Sequence, residues 1–267
     1  MPVPFAEPAL RGSRVLVTAA SQGIGYGAAR AFLAEGARVV INSSNEERLR
    51  RATESLSGGG SVHGVVADLR RQEDLDRLLS ETVRHLGGLD TLVYVTGSPR
   101  PGIFMEQGFA EWDAAARLLV VSPAYLARRA AEAILAGGKG GRMVFLTSVA
   151  IREPIATIAT SSVCRIAVAG LVRTLARELG PKGIRVNGIL PGYIATDRLG
   201  EVLSDAARRR GTSLEAERVA LEREIPLGRV GTPEELAQSI VFLGSERSSY
   251  VSGALLPVDG GLLHSVG

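Results

Sequence analysis

At 267 residues with 45% hydrophobic content, the chain carries enough apolar material for one substantial core, and a single domain spanning 1–267 is expected. The net charge of +3 comes from 31 basic residues set against 28 acidic ones; the longest basic run, Arg208-Arg209-Arg210, reads as a solvated helix face, so no nucleic-acid partner is expected. Cys164 is the lone cysteine, which excludes an intrachain disulfide and a multi-cysteine metal site, and with only three scattered histidines (His63, His85, His264) no metal is expected.

In chain order, the opening MPVPFAEPALRGSR lacks the charged-then-apolar order of a signal peptide. No apolar run approaches the ~20 residues of a membrane span, so a cytoplasmic protein without membrane contact is expected. The β-branched run RVLVTA (14–19) feeds the amphipathic GIGYGAARAFLAEG, and ARVVIN (37–42) feeds NEERLRRATESL. SGGGS (57–61) is a loop before SVHGVVA (61–67), which precedes RQEDLDRLLSETVRHL. LDTLVYV (89–95), GRMVFLTS (141–148), GIRVNGIL (183–190) and GALLPVD (253–259) continue the series. Between them lie EWDAAARLLVVSPAYLARRAAEAIL, ATSSVCRIAVAGLVRTLAREL and TPEELAQSIVFL, each with apolar residues at helical spacing. Seven such strands alternating with helices predict an α/β, Rossmann-like, doubly wound parallel sheet with helices on both faces and its ligand beyond the strand C-termini. The one irregular stretch, 196–226, reads as a substrate-side lid.

VTAASQGIG (17–25) follows the first strand and opens the first helix. Glycines there let the backbone approach a pyrophosphate, which the helix N-terminus would hold; a tight connection with no ligand is the plainer alternative. The spacing resembles the T-G-x-x-x-G-x-G of the short-chain dehydrogenase/reductase family, with Ala19 in place of the first glycine, a change that requires Ala19 to keep a negative φ. The resemblance runs from about residue 12 to 262 through ADLR, VYVTG, VNGILPGYIATD and VDGG, and is nearest to 3-oxoacyl-acyl-carrier-protein reductases. It implies a nicotinamide dinucleotide bound by Thr18, Ser21, Gln22, Gly23, Ile24 and Gly25, with Asp68 and Leu69 at the adenine, Thr96 and Gly97 beyond the fourth strand, and Pro191, Gly192, Ile194 and Thr196 around the nicotinamide. Ser43, Ser44 and Asn45 end the second strand without the acid that grips a ribose 2′-hydroxyl, which favours NADP(H) over NAD(H), although the arginines that mark NADP members are missing.

The resemblance also implies a catalytic serine, tyrosine, lysine and asparagine. Ser148 fills the serine position. Counting thirteen residues on, Ser161 stands at the tyrosine, Arg165 at the lysine and Leu119 at the asparagine, and the only lysines, Lys139 and Lys182, complete no Tyr-x-x-x-Lys. An aliphatic hydroxyl is a far weaker acid than a phenol, whereas Arg165 keeps a cation that could also hold ribose. Other residues weighed for the site are Tyr94 and Tyr193 near the nicotinamide, and Arg100, Arg152 and Glu153 at the mouth; Tyr26 with Arg30 reads as structural. Two functions remain open: an oxidoreductase on a small oxo or hydroxy substrate that uses Ser148, Ser161, Arg165 and water, or a dinucleotide-binding protein without turnover, acting as sensor or structural subunit. The apolar RLLVVSPAYLA and IAVAGLV, with the family's habits, predict a homo-oligomer, a tetramer.

Overall fold

The computed structural model describes residues 10–265, so the first nine residues of the opening stretch lie outside it. Strands β1 (Arg14–Val17), β2 (Arg38–Ser43), β3 (Val62–Val66), β4 (Thr91–Tyr94), β5 (Gly141–Leu146), β6 (Ile184–Pro191) and β7 (Leu255–Val258) form one sheet in the order β3-β2-β1-β4-β5-β6-β7. Every neighbouring pair is parallel. Helices α1 (Gly23–Ala34), α2 (Glu46–Leu56), α3 (Gln72–Leu86), α4 (Phe109–Ala116), α5 (Ser122–Ala136), α6 (Ala159–Leu179), α7 (Asp197–Arg210), α8 (Leu214–Glu224) and α9 (Pro233–Leu243) complete the chain.

Strand periodicity sorts the core into two layers. Val15 and Val17 point to the face covered by α1, α2 and α9, where Phe32, Leu49 and Ile240 are buried, while Leu16 and Val40 point to the face covered by α3, α5 and α6, where Leu78, Leu126 and Val172 are buried. Each such side chain contributes about 1.5–3 kcal/mol by leaving water. Helix boundaries follow local chemistry: Thr232 and Glu235 form a capping box at α9, and Gly87, with φ +76°, ends α3.

Three expectations change. The 196–226 stretch is not irregular, because α7 and α8 fill it, and its basic run is paired: Arg209 with Glu106 and Asp205, Arg208 with Asp205, Arg210 with Glu217. The segment Ala159–Lys182, α6 with its following turn, is long and apolar enough by length and composition to span a membrane, with mean hydropathy 1.2; here it lies against β6 in the second layer. SGGGS begins as a single 3₁₀ turn, Ser57–Gly59.

Ala19 departs most sharply, with φ +47° in the left-handed region. Two contacts force it: Asn42 Oδ1 accepts its N–H at 2.8 Å, and Gly25 of α1 packs so close that a Cβ there would stand 2.9 Å from Ala20 Cα and against the Ala19 carbonyl. The loop must turn sharply to let α1 in, and the alanine adopts the glycine conformation at a cost of about 1–2 kcal/mol. Replacing Ala19→Gly relieves that strain but loosens the unfolded chain, a smaller opposing effect. Thermal unfolding of Ala19→Gly is therefore expected to show a net gain of about 0.5–1 kcal/mol, roughly 1–3 °C in Tm; a lower Tm would mean that the turn is not strained.

Candidate active site

The order of strands reverses between β1 and β4, and there a cleft of about 790 Å³ opens at the strand C-termini. At its edge Thr18 clips the diverging strands together: its hydroxyl donates to the Val95 carbonyl and accepts the Val95 N–H at 2.9 Å. Thr18 is fully buried and does not line the cleft, unlike the other residues expected at the start of the dinucleotide loop.

Around one end lie Ser21, Gln22, Gly23, Ile24, Gly25, Ser43, Ser44, Asp68 and Leu69, together with Thr96 and Gly97. The α1 N-terminus has no side-chain cap and no acidic residue in its first turn, so its free N–H groups and positive dipole end face the cleft. At Gly97 a Cβ would meet nothing within 4 Å. This donor set fits the phosphates of a dinucleotide. Ser21 Oγ donates to Ser43 Oγ at 3.0 Å. Asn45 is not in the lining, because its Oδ1 accepts from Arg48 N at 2.8 Å to cap α2. The same first turn brings Arg48 to the cleft, where Nη1 lies 3.1 Å from Gln22 Oε1. Arg48 thus shares the lining with Ser43 and Ser44, while Gln22 and Ser44 still hold the two places expected to lack an arginine. Asp68 also lines the cleft, with its carboxylate held by Arg70 at 2.7 Å; that contact keeps its pKa below the usual value against the opposing effect of burial.

The other end holds Ser148, Ser161, Arg165, Pro191, Gly192, Tyr193, Ile194 and Thr196. Ser148 follows β5 and accepts the Ala150 N–H at 3.1 Å. One turn apart on α6, Arg165 Nε donates to Ser161 Oγ at 3.1 Å, while Arg165 Nη1 donates to the Leu146 and Thr147 carbonyls at 3.2 Å each. Neither serine hydroxyl proton is accepted by a described residue. Burial pushes Arg165 down to about 10, still protonated at neutral pH. Tyr94 lies under the cleft rather than in it, donating to Leu118 O at 3.2 Å, with its pKa raised by burial. Arg100, Arg152 and Glu153 are also outside the lining; Glu153 instead accepts the His264 and Ser265 N–H groups. Tyr26 and Arg30 do not pair with each other: Tyr26 Oη meets Ser55 Oγ at 2.9 Å and Arg30 meets Glu234 at 2.7 Å.

The family model described as enoyl-(acyl carrier protein) reductase matches residues 18–263. Glucose 1-dehydrogenase of Gluconobacter oxydans is 33% identical over 98% of this chain and 96% of that protein. The chain belongs to the short-chain dehydrogenase/reductase family. A 3-oxoacyl-[acyl-carrier-protein] reductase of Aquifex aeolicus is 28% identical over 96% of this chain and 99% of its own. The L-sorbose reductase of Gluconobacter frateurii, solved with NADPH and L-sorbose, superimposes with a TM-score of 0.91 at 30% identity, covering 97% of this chain and 100% of that one.

Leu119 sits in a π-helical turn, Arg117–Val121, between α4 and α5, and is buried with Ala115 and with Cys164 of α6. Ser161 and Arg165 bond to each other, as the spacing predicts for a helix. The histidines are not all scattered: His63 and His85 stack at 3.4 Å, with Glu81 close enough that the three ligand atoms lie within 4.8 Å of one another. That group lies away from the cleft, and Arg84 contacts both Glu81 and His85.

Sequence reading also passed over Asn42, buried at the end of β2. Its side chain accepts the Ala19 N–H and donates to the Ala67 carbonyl, both at 2.8 Å, tying together the loops after β1 and β3. An asparagine within an apolar strand was the available signal. Asn42→Ala leaves two backbone groups without partners, each costing about 1–3 kcal/mol. Denaturant unfolding is expected to show a loss of about 2–4 kcal/mol; a loss under about 1 kcal/mol would contradict the tie.

Proposed function

We propose that this chain is a cytoplasmic NADP(H)-linked oxidoreductase, 3-oxoacyl-reductase-like in its site, interconverting the carbonyl and alcohol forms of a small oxo or hydroxy substrate. The observation that carries this reading is one continuous cleft joining the uncapped α1 N-terminus to Ser148, Ser161 and Arg165. Nicotinamide, when bound, supplies or accepts the hydride. Ser148 and Ser161 each have a hydroxyl proton to offer a carbonyl oxygen, and Arg165 stabilises the negative charge that grows on it. Arginine does not relay a proton at neutral pH, so in the reducing direction the alkoxide takes its proton from water, reached through the hydrogen-bonding serines. Without a tuned phenol the rate falls by about 10²–10⁴-fold relative to a site with a positioned general acid. Helices α7 and α8 serve as the substrate-side lid over 196–226, and Pro191, Gly192, Ile194 and Thr196 hold the nicotinamide end.

The second reading, a dinucleotide-binding sensor or structural subunit without turnover, draws on Leu119 and on the engagement of Ser161 by Arg165. Turnover separates the two. Slow NADPH oxidation with an oxo compound is expected, and none across a chemically varied panel, with cofactor bound, would favour the second.

Support for NADP(H) comes from Arg48, an exposed cation in the lining beside Ser43 and Ser44 and able to pair with a 2′-phosphate. Calorimetric titration is expected to give NADPH the tighter binding, with Arg48→Ala removing about tenfold of that preference and leaving NADH affinity within about twofold. Equal affinities in the parent protein would end the NADP assignment, and binding of neither would end the cofactor reading.

The homo-oligomer, a tetramer by family likeness, is assigned to the faces of α4 to α6. Val121, Val163 and Ile166 are 59%, 55% and 49% exposed there, and a symmetric partner would cover them. Sedimentation at micromolar concentration is expected to show a tetramer, and a monomer would refute the assignment.

A further inference from the structure

Arg165 is the one buried arginine among the described residues, 6% exposed, yet it forms no ion pair. Most of the partly buried arginines sit on acids, as Arg14 does on Asp90 at 2.6 Å and Arg247 on Glu35 at 3.1 Å; Arg38 bonds only the Leu86 and His85 carbonyls, but it is partly exposed to water, whereas Arg165 is buried. Around Arg165 the partners are neutral, namely Ser161 Oγ and the Leu146 and Thr147 carbonyls. Removing one partner from a buried ion pair is strongly destabilising because it leaves a charge uncompensated; here the fold supplies no partner at all. Its Nε and Nη1 are engaged, whereas Nη2, with two N–H groups, bonds to no described residue. The residue lines the cleft.

A second cation approaches from the lid. Arg198 at the start of α7 also lines the cleft, donating from Nη1 to Glu201 at 3.0 Å and from Nη2 to the Pro99 carbonyl at 2.8 Å. It is close enough for its charge to help depress the pKa of Arg165, after burial, which is the largest cause. Two like charges facing one low-dielectric cavity repel unless an anion sits between them. The acids at this end are Asp197 and Glu201, and the exposed Glu201 is committed to Arg198. A dinucleotide's pyrophosphate belongs at the α1 N-terminus, at the opposite end.

We propose that the substrate is itself an anion, a small oxo acid or its hydroxy counterpart, whose carboxylate is taken by Nη2 of Arg165 from the cleft floor and by Arg198 from α7. This rests on the oxidoreductase reading of the same cleft and adds the substrate class to it. The carboxylate gives Arg165 the counter-charge that the fold omits, and it holds the adjoining carbonyl next to Ser148 and Ser161. A guanidinium suits this role better than an ammonium, since its planar N–H groups match a carboxylate and less freedom is lost on binding. Arg198 exchanges part of its contact with Glu201 for the substrate, so closure of α7 is coupled to the charge of the ligand.

The test uses the full chain saturated with NADP⁺, titrated calorimetrically with oxamate, a non-reducible oxo-acid analogue, and with its neutral diamide oxamide. Oxamate is expected to bind at least about tenfold more tightly than oxamide. Arg165→Gln is expected to weaken oxamate by about ten- to hundredfold, the range for charge-assisted hydrogen bonds, and Arg165→Lys to recover part of that loss. Arg198→Gln, on the more exposed lid, is expected to weaken oxamate by about three- to tenfold and serves if Arg165→Gln does not fold. Equal binding of oxamate and oxamide overturns the proposal, as does unchanged oxamate affinity in Arg198→Gln and in a folded Arg165→Gln. Displacement of NADP⁺ by oxamate would assign the arginines to a cofactor phosphate and overturns it too. Steady-state rates distinguish the two layers of inference. Reduction of L-sorbose by NADPH as efficiently as pyruvate removes the anion assignment while keeping the reductase. Failure of NADP⁺ to bind removes the reductase, and the oxamate titration on the cofactor-free protein then decides the anion site alone.

Discussion

The reciprocal pair between the Thr18 hydroxyl and the Val95 backbone sits where the sheet divides, and the cleft depends on it. β1 connects onward to β2 on one side, while β4, its neighbour on the other, connects onward toward β5. Beyond Val17 and Tyr94 the ladder ends, and two backbone segments must leave in opposite directions without abandoning their polar groups. Thr18 satisfies both sides of Val95 with a single side chain. It therefore marks the last point at which the fold is closed and the first at which a ligand can enter. Asn42 repeats the device one strand over, and together they hold the loops that carry Ser21 to Gly25 and Asp68 to Leu69.

Those ties also separate the two ends of the cleft by what lines them. The phosphate-facing groups are backbone N–H donors at the start of α1, and their positions follow from helix and strand packing rather than from side-chain identity. The other end is lined in part by side chains of α6, Ser161 and Arg165, whose identity the sheet ladder does not set. Arg165 is fixed there by the Leu146 and Thr147 carbonyls at the end of β5, and Ser161 is held beside it by Nε.

How much of this was legible follows the range of the forces involved. The seven strands and the layered helices could be read because burial on alternate faces writes itself into residue periodicity, as at Val15, Leu16 and Val17. Ser161 and Arg165 could be paired from their spacing on one helix. Misreadings arose where a distant partner decided the outcome. The φ of Ala19 is set by Asn42, 23 positions away, and by Gly25 packing. Thr18 is claimed by Val95, 77 positions on. Asn45 is claimed by its own helix, a capping role with a local signal, since three residues later comes the N–H it accepts. Arg48 reaches the cleft from that same turn, five positions after Ser43, through the fold of α2 against the loop that carries Gln22. His63 and His85 meet because β3 and α3 are adjacent, which no spacing rule conveys.

Two residues violate local rules, and both border the same cleft. Ala19 adopts a conformation suited to glycine, and Arg165 is a buried cation without an acid. Elsewhere the layers of the core alternate as strand periodicity requires, and many surface arginines find acids. Strain and unmet charge persist in a fold where the surrounding structure over-determines them, and they concentrate where a ligand is to be met. The strain at Ala19 has a structural cause that is complete within the chain, since the approach of α1 and the hydrogen bond to Asn42 require it. For Arg165 no such completion exists: its carbonyl contacts satisfy hydrogen bonds but leave a full charge uncompensated. Arg38 likewise bonds only two carbonyls, those of His85 and Leu86, but its side chain is partly exposed and water can offset its charge, whereas Arg165 is buried and has only the cleft to look to for a counter-charge.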